Sequence, residues 1–350
     1  MKQSKILFAI LVSGALFFTG CNDKTETTKA ATEAVKTTAK HVESKANEVV
    51  QEAKKVATST TTVASEDEVR VFTTDNSDGK LTPESIDKAF TDAGFYIAAD
   101  NDMNFPYKRD FNTTGYDVYN LAAFYNKDIV ADLIKEYPRI GFFAPMSMSI
   151  YTKKGEKTIS IATLSTARMA KITGIPADHA AWKKLDDMLT TALKSALPNG
   201  KFVPTGNKPL DIKESLVSEF TFEMGEDWES DKEDFENDFE SALSPAGFAM
   251  PAFNELSDEI EDIGYDFYEV YSICKIPVIY TVSKNHPEAG AYAPCSLYVY
   301  KKEGEKTVHM GYPTVYNWFH SMGIEDEASK KVLLEAQDKF NTILKKLSSK

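Results

Sequence analysis

Two stretches of the chain repeat one hydrophobic spacing. Trp182, Leu185, Leu189, Leu193 and Ala196 fall on one face of a helix, as do Leu333, Ala336, Phe340, Ile343 and Leu347. That is the stripe of a helix packed on a core. Ahead of each helix, short segments rich in β-branched and aromatic residues predict strands. In the first half they cover residues 68–74, 95–98 and 116–125, then a hairpin of 146–153 with 157–164. In the second they cover 216–224, 248–251 and 265–274, then a hairpin of 295–302 with 306–312. Lys154-Gly155 and Glu303-Gly304 supply the hairpin turns. Thr82 is placed to cap a helix with Pro83 at its first position, and Gly94 sits where a left-handed C-terminal cap falls. The matching helix of the second half begins near Ser230, and short crossing segments cover 127–136 and 278–285. Each half therefore reads β-α-β-β-(short helix)-β-β-α, which predicts an α+β fold: two tandem copies of an antiparallel sheet with helices packed on one face.

The halves also match residue by residue. Gly115-Tyr116-Asp117-Val118-Tyr119 recurs as Gly264-Tyr265-Asp266-Phe267-Tyr268, and Ala144-Pro145-Met146-Ser147 recurs as Ala293-Pro294-Cys295-Ser296. Gly155-Glu156-Lys157-Thr158 recurs as Gly304-Glu305-Lys306-Thr307 and Gly174-Ile175 as Gly323-Ile324, all separated by 149 positions. Ala93-Gly94-Phe95 and Ala246-Gly247-Phe248 are separated by 153, so four residues were gained or lost between these points. A constant offset is the signature of duplication. The copies are placed at 67–197 and 213–350, joined by a Pro/Gly/Lys-rich linker at 198–212.

The N-terminus has a different pattern. Lys2 and Lys5 precede an apolar run, residues 6–18, that is short for a bilayer span and suits a signal h-region. It ends in Phe18-Thr19-Gly20-Cys21, which resembles a bacterial lipobox with Phe18 in place of the usual Leu. Residues 1–20 are then a cleaved signal and Cys21 is the lipidated residue. Acyl chains such as palmitate, two or three together, would anchor the protein in the bilayer of the cell envelope, facing the periplasm. Asn22 favours the outer membrane. Residues 21–66 form a stalk without aromatics, rich in Ala, Thr, Lys and Glu. Val35, Ala39, Val42, Ala46, Val49, Ala53 and Val56 make a heptad seam. The stalk is expected to be either helical and self-associating or a disordered linker.

Composition narrows the function. Hydrophobic residues make up 42% of the 350, enough for folded cores, and the net charge of −13 argues against non-specific nucleic-acid binding. Three cysteines are too few for a disulfide scaffold. Cys274 and Cys295 remain after processing, as packed thiols, a disulfide or a redox pair. Met146 and Cys295 share a repeat position and are both soft ligands. A two-residue turn at Glu303-Gly304 would pair Tyr298 with His309, placing His309 on the sheet face opposite Cys295, so metal binding there is not expected. Residues 75–84 resemble a calcium loop, but Thr74 and Ser85 stand where carboxylates belong, so a turn and helix cap are expected instead. The acidic run 226–240 reads as a solvated helix face. No phosphate loop, nucleophile elbow or metalloprotease motif is present in the sequence. No catalytic set, cofactor or metal site is therefore assigned. The tyrosines Tyr116, Tyr119, Tyr265 and Tyr268, with Met146 and Cys295, are candidates to line a cleft between the copies.

The Gly-Phe after the first helix, the Pro ahead of a Gly, the Ala-Pro-x-Ser strand entry and the Gly-turned hairpin resemble domain-of-unknown-function family 302. The resemblance spans residues 68–197 and 216–347. It implies a TATA-binding-protein-like α+β fold that is usually dimeric, and no agreed reaction. With two copies in one chain, a pseudo-dimer within the chain or a homo-oligomer is expected. The leading functional expectation is a non-enzymatic, lipid-anchored binding or interaction module with a small-molecule or protein ligand. A redox or small-ligand protein using Cys295, and a structural envelope lipoprotein, are the alternatives.

Overall fold

The computed structural model describes residues 67–349. Cys21, the signal and the heptad stalk lie outside the described residues. The described residues fall in one compact unit.

Local chemistry starts the first copy as its sequence demands. Strand β1 (Val69–Asp75) runs into a turn held by Asn76, whose side chain accepts from Leu81 N and donates to Leu81 O. Thr82 then caps helix α1 (Pro83–Asp92), with Ser85 closing a reciprocal box. Asn76 and Thr82 thus account for the calcium-loop resemblance. β2 (Tyr96–Asp102), α2 (Asn104–Phe111), β3 (Tyr116–Tyr125) and α3 (Lys127–Ile134) follow. A 3₁₀ segment, Pro138–Phe143, leads to the hairpin β4 (Met146–Lys153) and β5 (Thr158–Leu164), then α4 (Thr166–Thr173) and α5 (Ala180–Ala196). The second copy repeats the plan: β7 (Val217–Glu223), α6 (Trp228–Ala246), β8 (Ala249–Glu255), α7 (Leu256–Glu259), β9 (Tyr265–Cys274) and α8 (Ile276–Ser283). It closes with the 3₁₀ segment Pro287–Tyr292, β10 (Cys295–Lys302), β11 (Thr307–Pro313), α9 (Tyr316–Met322) and α10 (Glu327–Leu347).

Both sheets are antiparallel. Their orders are β2-β3-β4-β5-β1-β6, where β6 is Lys201–Val203, and β7-β11-β10-β9-β8. The structure therefore contains two antiparallel α+β halves, with helices against one face of each sheet. The stripe on α5 is buried throughout, and on α10 Leu333, Ala336, Phe340 and Leu347 are buried with Ile343 packed beside them.

Three features depart from the sequence reading. Each copy has a helix between its second and third strands (α2, α7) and another before its last helix (α4, α9). These are short, and one or two turns leave little period to read. The linker contributes a strand, β6 (Lys201–Val203), which pairs with β1. The second hairpin turn is longer than two residues, so Tyr300, not Tyr298, lies opposite His309. The slip is two residues, which preserves parity. His309 remains on the face away from Cys295 and stacks on Tyr300 with ring centroids 4.9 Å apart.

Candidate functional site

The sheet face not covered by a copy's own helices meets the other copy. Pro287–Tyr292 lies against β4 and β5, and Pro138–Phe143 lies against β10. Each approach is close at a glycine. A Cβ on Gly141 would stand 2.1 Å from Tyr268 Oη, and one on Gly290 would stand 2.5 Å from both Leu121 Cδ2 and Ser149 Cβ.

Three pairs of hydrogen bonds across this contact are matched. Ser147 Oγ donates to Pro294 O at 2.7 Å, and Ser296 Oγ donates to Pro145 O at 2.9 Å. Tyr119 Oη donates to Pro287 O at 3.2 Å, and Tyr268 Oη donates to Pro138 O. Tyr265 Oη donates to Ile134 O at 2.8 Å, and Tyr116 Oη donates to Ser283 O. The four tyrosines singled out in the sequence are thus buried in the contact between the copies, with their hydroxyls spent on backbone carbonyls rather than facing an open cleft. Burial pushes Tyr119 and Tyr268 well above the ordinary phenol range, so they stay protonated donors. Met146 is likewise packed in the core.

At the start of β2 and β8 the two halves diverge. Tyr96 pairs with Tyr125 in the first sheet, and Ala249 pairs with Cys274 in the second. Tyr125 reaches into the other copy, donating to Glu259 and lying 3.3 Å from Asn254 Nδ2. Lys127 Nζ completes the cluster 2.7 Å from Glu259 Oε2 and 5.2 Å from the centre of the Tyr96 ring. Burial alone would raise Glu259, but donation from Lys127, Tyr125 and Asn254 holds it below the usual carboxylate range. This cluster fills its side of the contact.

The equivalent positions on the other side are Ala249, Cys274, Ile276, Asn101 and Pro106. None carries an aromatic ring or a long cation. All five line an open cleft of about 310 Å³, together with Asp102, Phe105, Arg109, Leu121 and Pro294 among others. Phe105 stands at this cleft 69% exposed. A second, smaller cavity of about 70 Å³ lies behind Cys274 and is lined by Cys295, Trp318 and Phe340 among others. Both cysteines are free, and Cys295 Sγ donates to Tyr292 O at 3.2 Å. Burial pushes both thiols up to about 12, so neither is a thiolate near neutral pH.

The strand register, paired 3₁₀ segments and duplicated hairpins describe a domain that sequence comparison recognises. The model of the domain of unknown function DUF302 matches residues 227–347. These residues belong to the DUF302 family. The DUF302 segment takes in α6 through α10, including Cys274, Cys295 and the 3₁₀ segment that docks on the first sheet. A solved structure, an uncharacterized conserved protein DUF302 from Bacillus stearothermophilus, is similar at 16% identity over 36% of this chain and 97% of its own. Its TM-score is 0.31. No curated protein matches the chain.

The sequence could have pointed to the cleft. Tyr125 opposite Cys274 in the repeat alignment is a large-to-small exchange, and Tyr96 opposite Ala249 is another. Phe105, Arg109 and Asn101 carry no motif.

Proposed function

We propose that this chain is a lipid-anchored protein of the bacterial cell envelope, facing the periplasm, whose two copies pair within the chain to form one small-molecule binding module. The unequal clefts carry the reading. Two copies of one domain would make two equivalent clefts, and this chain has filled one with Tyr125 and left the other open at Cys274. An open, largely apolar concavity between domains is where ligands bind. The repeat supports extending the DUF302 assignment to residues 67–197. The lipobox at Cys21 supports the anchor, and among the described residues no helix is long and apolar enough to cross a membrane.

A redox role through Cys295 is less well supported, because a reactive thiol needs a lowered pKa and burial raises this one. Labelling with radioactive palmitate tests the anchor. The wild-type protein should carry label and sediment with membranes, and Cys21→Ser should lose both. Soluble, unlabelled wild-type protein would refute the anchor. Denaturing periplasmic protein of residues 61–350 and analysing what it releases tests the module. A stoichiometric small molecule is expected.

A further inference from the structure

This inference rests on the binding-module reading and names the ligand class. We propose that the open cleft beside Cys274 takes a neutral, phenol-like aromatic molecule. The protein itself supplies the template. In the filled cleft a phenol ring, that of Tyr125, occupies the space, edge-on to Tyr96 with centroids 5.3 Å apart and its hydroxyl beside Asn254. Across the contact the ring is missing, because Cys274 stands in place of Tyr125 and Ala249 in place of Tyr96, while Asn101 remains where Asn254 stands.

The walls agree. Leu121, Ile276 and Pro294 are apolar, and the neutral Cys274 thiol adds no charge. Phe105 offers an exposed ring on which a second ring can stack. Charge at the rim disfavours an anion. Arg109 already gives its Nε and Nη2 to Asp110, at 2.6 and 2.8 Å, and Asp102 adds a further carboxylate. An anionic ligand would meet the Asp102 carboxylate and a guanidinium already paired to Asp110.

The test is a fluorescence titration of residues 61–350 with 2-naphthol and, separately, with its anionic relative 2-naphthoate. Saturable binding of one 2-naphthol per chain is expected, with 2-naphthoate about tenfold weaker or worse. Cys274→Tyr restores the missing phenol and should block the site. Phe105→Ala removes an exposed ring without touching the core and should weaken binding about tenfold, the scale of one aromatic contact. Failure of 2-naphthol to bind, or binding indifferent to Phe105→Ala, would overturn the proposal. Tighter binding of 2-naphthoate, lost in Phe105→Ala, would also overturn the ligand class, while leaving the binding-module reading intact.

Discussion

Arg168 Nη2 donates to Asn317 Oδ1 at 2.5 Å, and the two residues are 149 positions apart. Each therefore touches its own counterpart in the duplication. A residue meets its repeat equivalent only near the axis that relates the copies, so this pair marks the axis. Arg168 is buried, and it also reaches Tyr292 Oη at 3.1 Å and Glu68 Oε2 at 3.2 Å. Burial works to raise Glu68, but Lys171, Arg168 and His320 together hold it below the usual carboxylate range.

Truncating Arg168 leaves Glu68 and Asn317 short of a donor inside the contact. Arg168→Ala should cost about 3–5 kcal/mol, the scale for breaking a buried charged network. Urea unfolding checks this. A loss below about 1 kcal/mol would mean that the pair is not buried at the contact.

Gly141 and Gly290 test the close approach of the copies directly. Gly290→Ala would force its Cβ against Leu121 and Ser149. Destabilisation of about 1–3 kcal/mol is expected from overpacking. Gly115→Ala is the control, because a Cβ there meets nothing within 4 Å. Equal effects at both positions, read from thermal midpoints, would contradict the packing described.

How much of this was legible in the sequence differs by level. The strands, the hairpins and the stripes on α5 and α10 follow from period, and the duplication follows from matched motifs. The role of the tyrosines was not legible. An aromatic at a sheet position packs the same way whether its hydroxyl faces a cleft or a carbonyl from the other copy, and only the path of Pro138–Phe143 and Pro287–Tyr292 decides between these. The cleft depends on a residue being small, and an absence of side chain has no motif.

Stability should depend on pH through Asp87. Burial, reinforced by the Asp100 carboxylate, pushes Asp87 up to about 7. Its ordinary value in the unfolded chain is 3.8. The folded state therefore holds a proton that the unfolded state has lost between these values. This stabilising contribution is full below the unfolded value and is lost as pH rises through about 7. Asp87→Asn should flatten that slope and raise stability above neutrality by about 1 kcal/mol, allowing for solvent screening. Denaturant midpoints measured across this window check the sign. Stability that rises with pH there, unchanged by the substitution, would contradict it.

In the second copy, burial and the neighbouring Glu236 push the buried Glu269 up to about 8, although Lys232 Nζ lies 2.6 Å away and Tyr271 Oη donates to it at 2.6 Å. Lys232→Met removes the cation that Glu269 shares with Glu236 and Glu255. A loss of about 3–5 kcal/mol is expected. The double variant Lys232→Met with Glu269→Gln should recover part of it, which separates lost charge pairing from lost packing. No recovery in urea unfolding would contradict the Lys232–Glu269 pairing.

The central claim is that the two copies complete each other within one chain and leave one cleft open. Native mass spectrometry of residues 61–350, with the denatured mass for comparison, tests it most directly. A single-chain mass at micromolar concentration, carrying one small molecule that is lost on denaturation, is the predicted result. A stable two-chain species, or two ligands per chain, would contradict it.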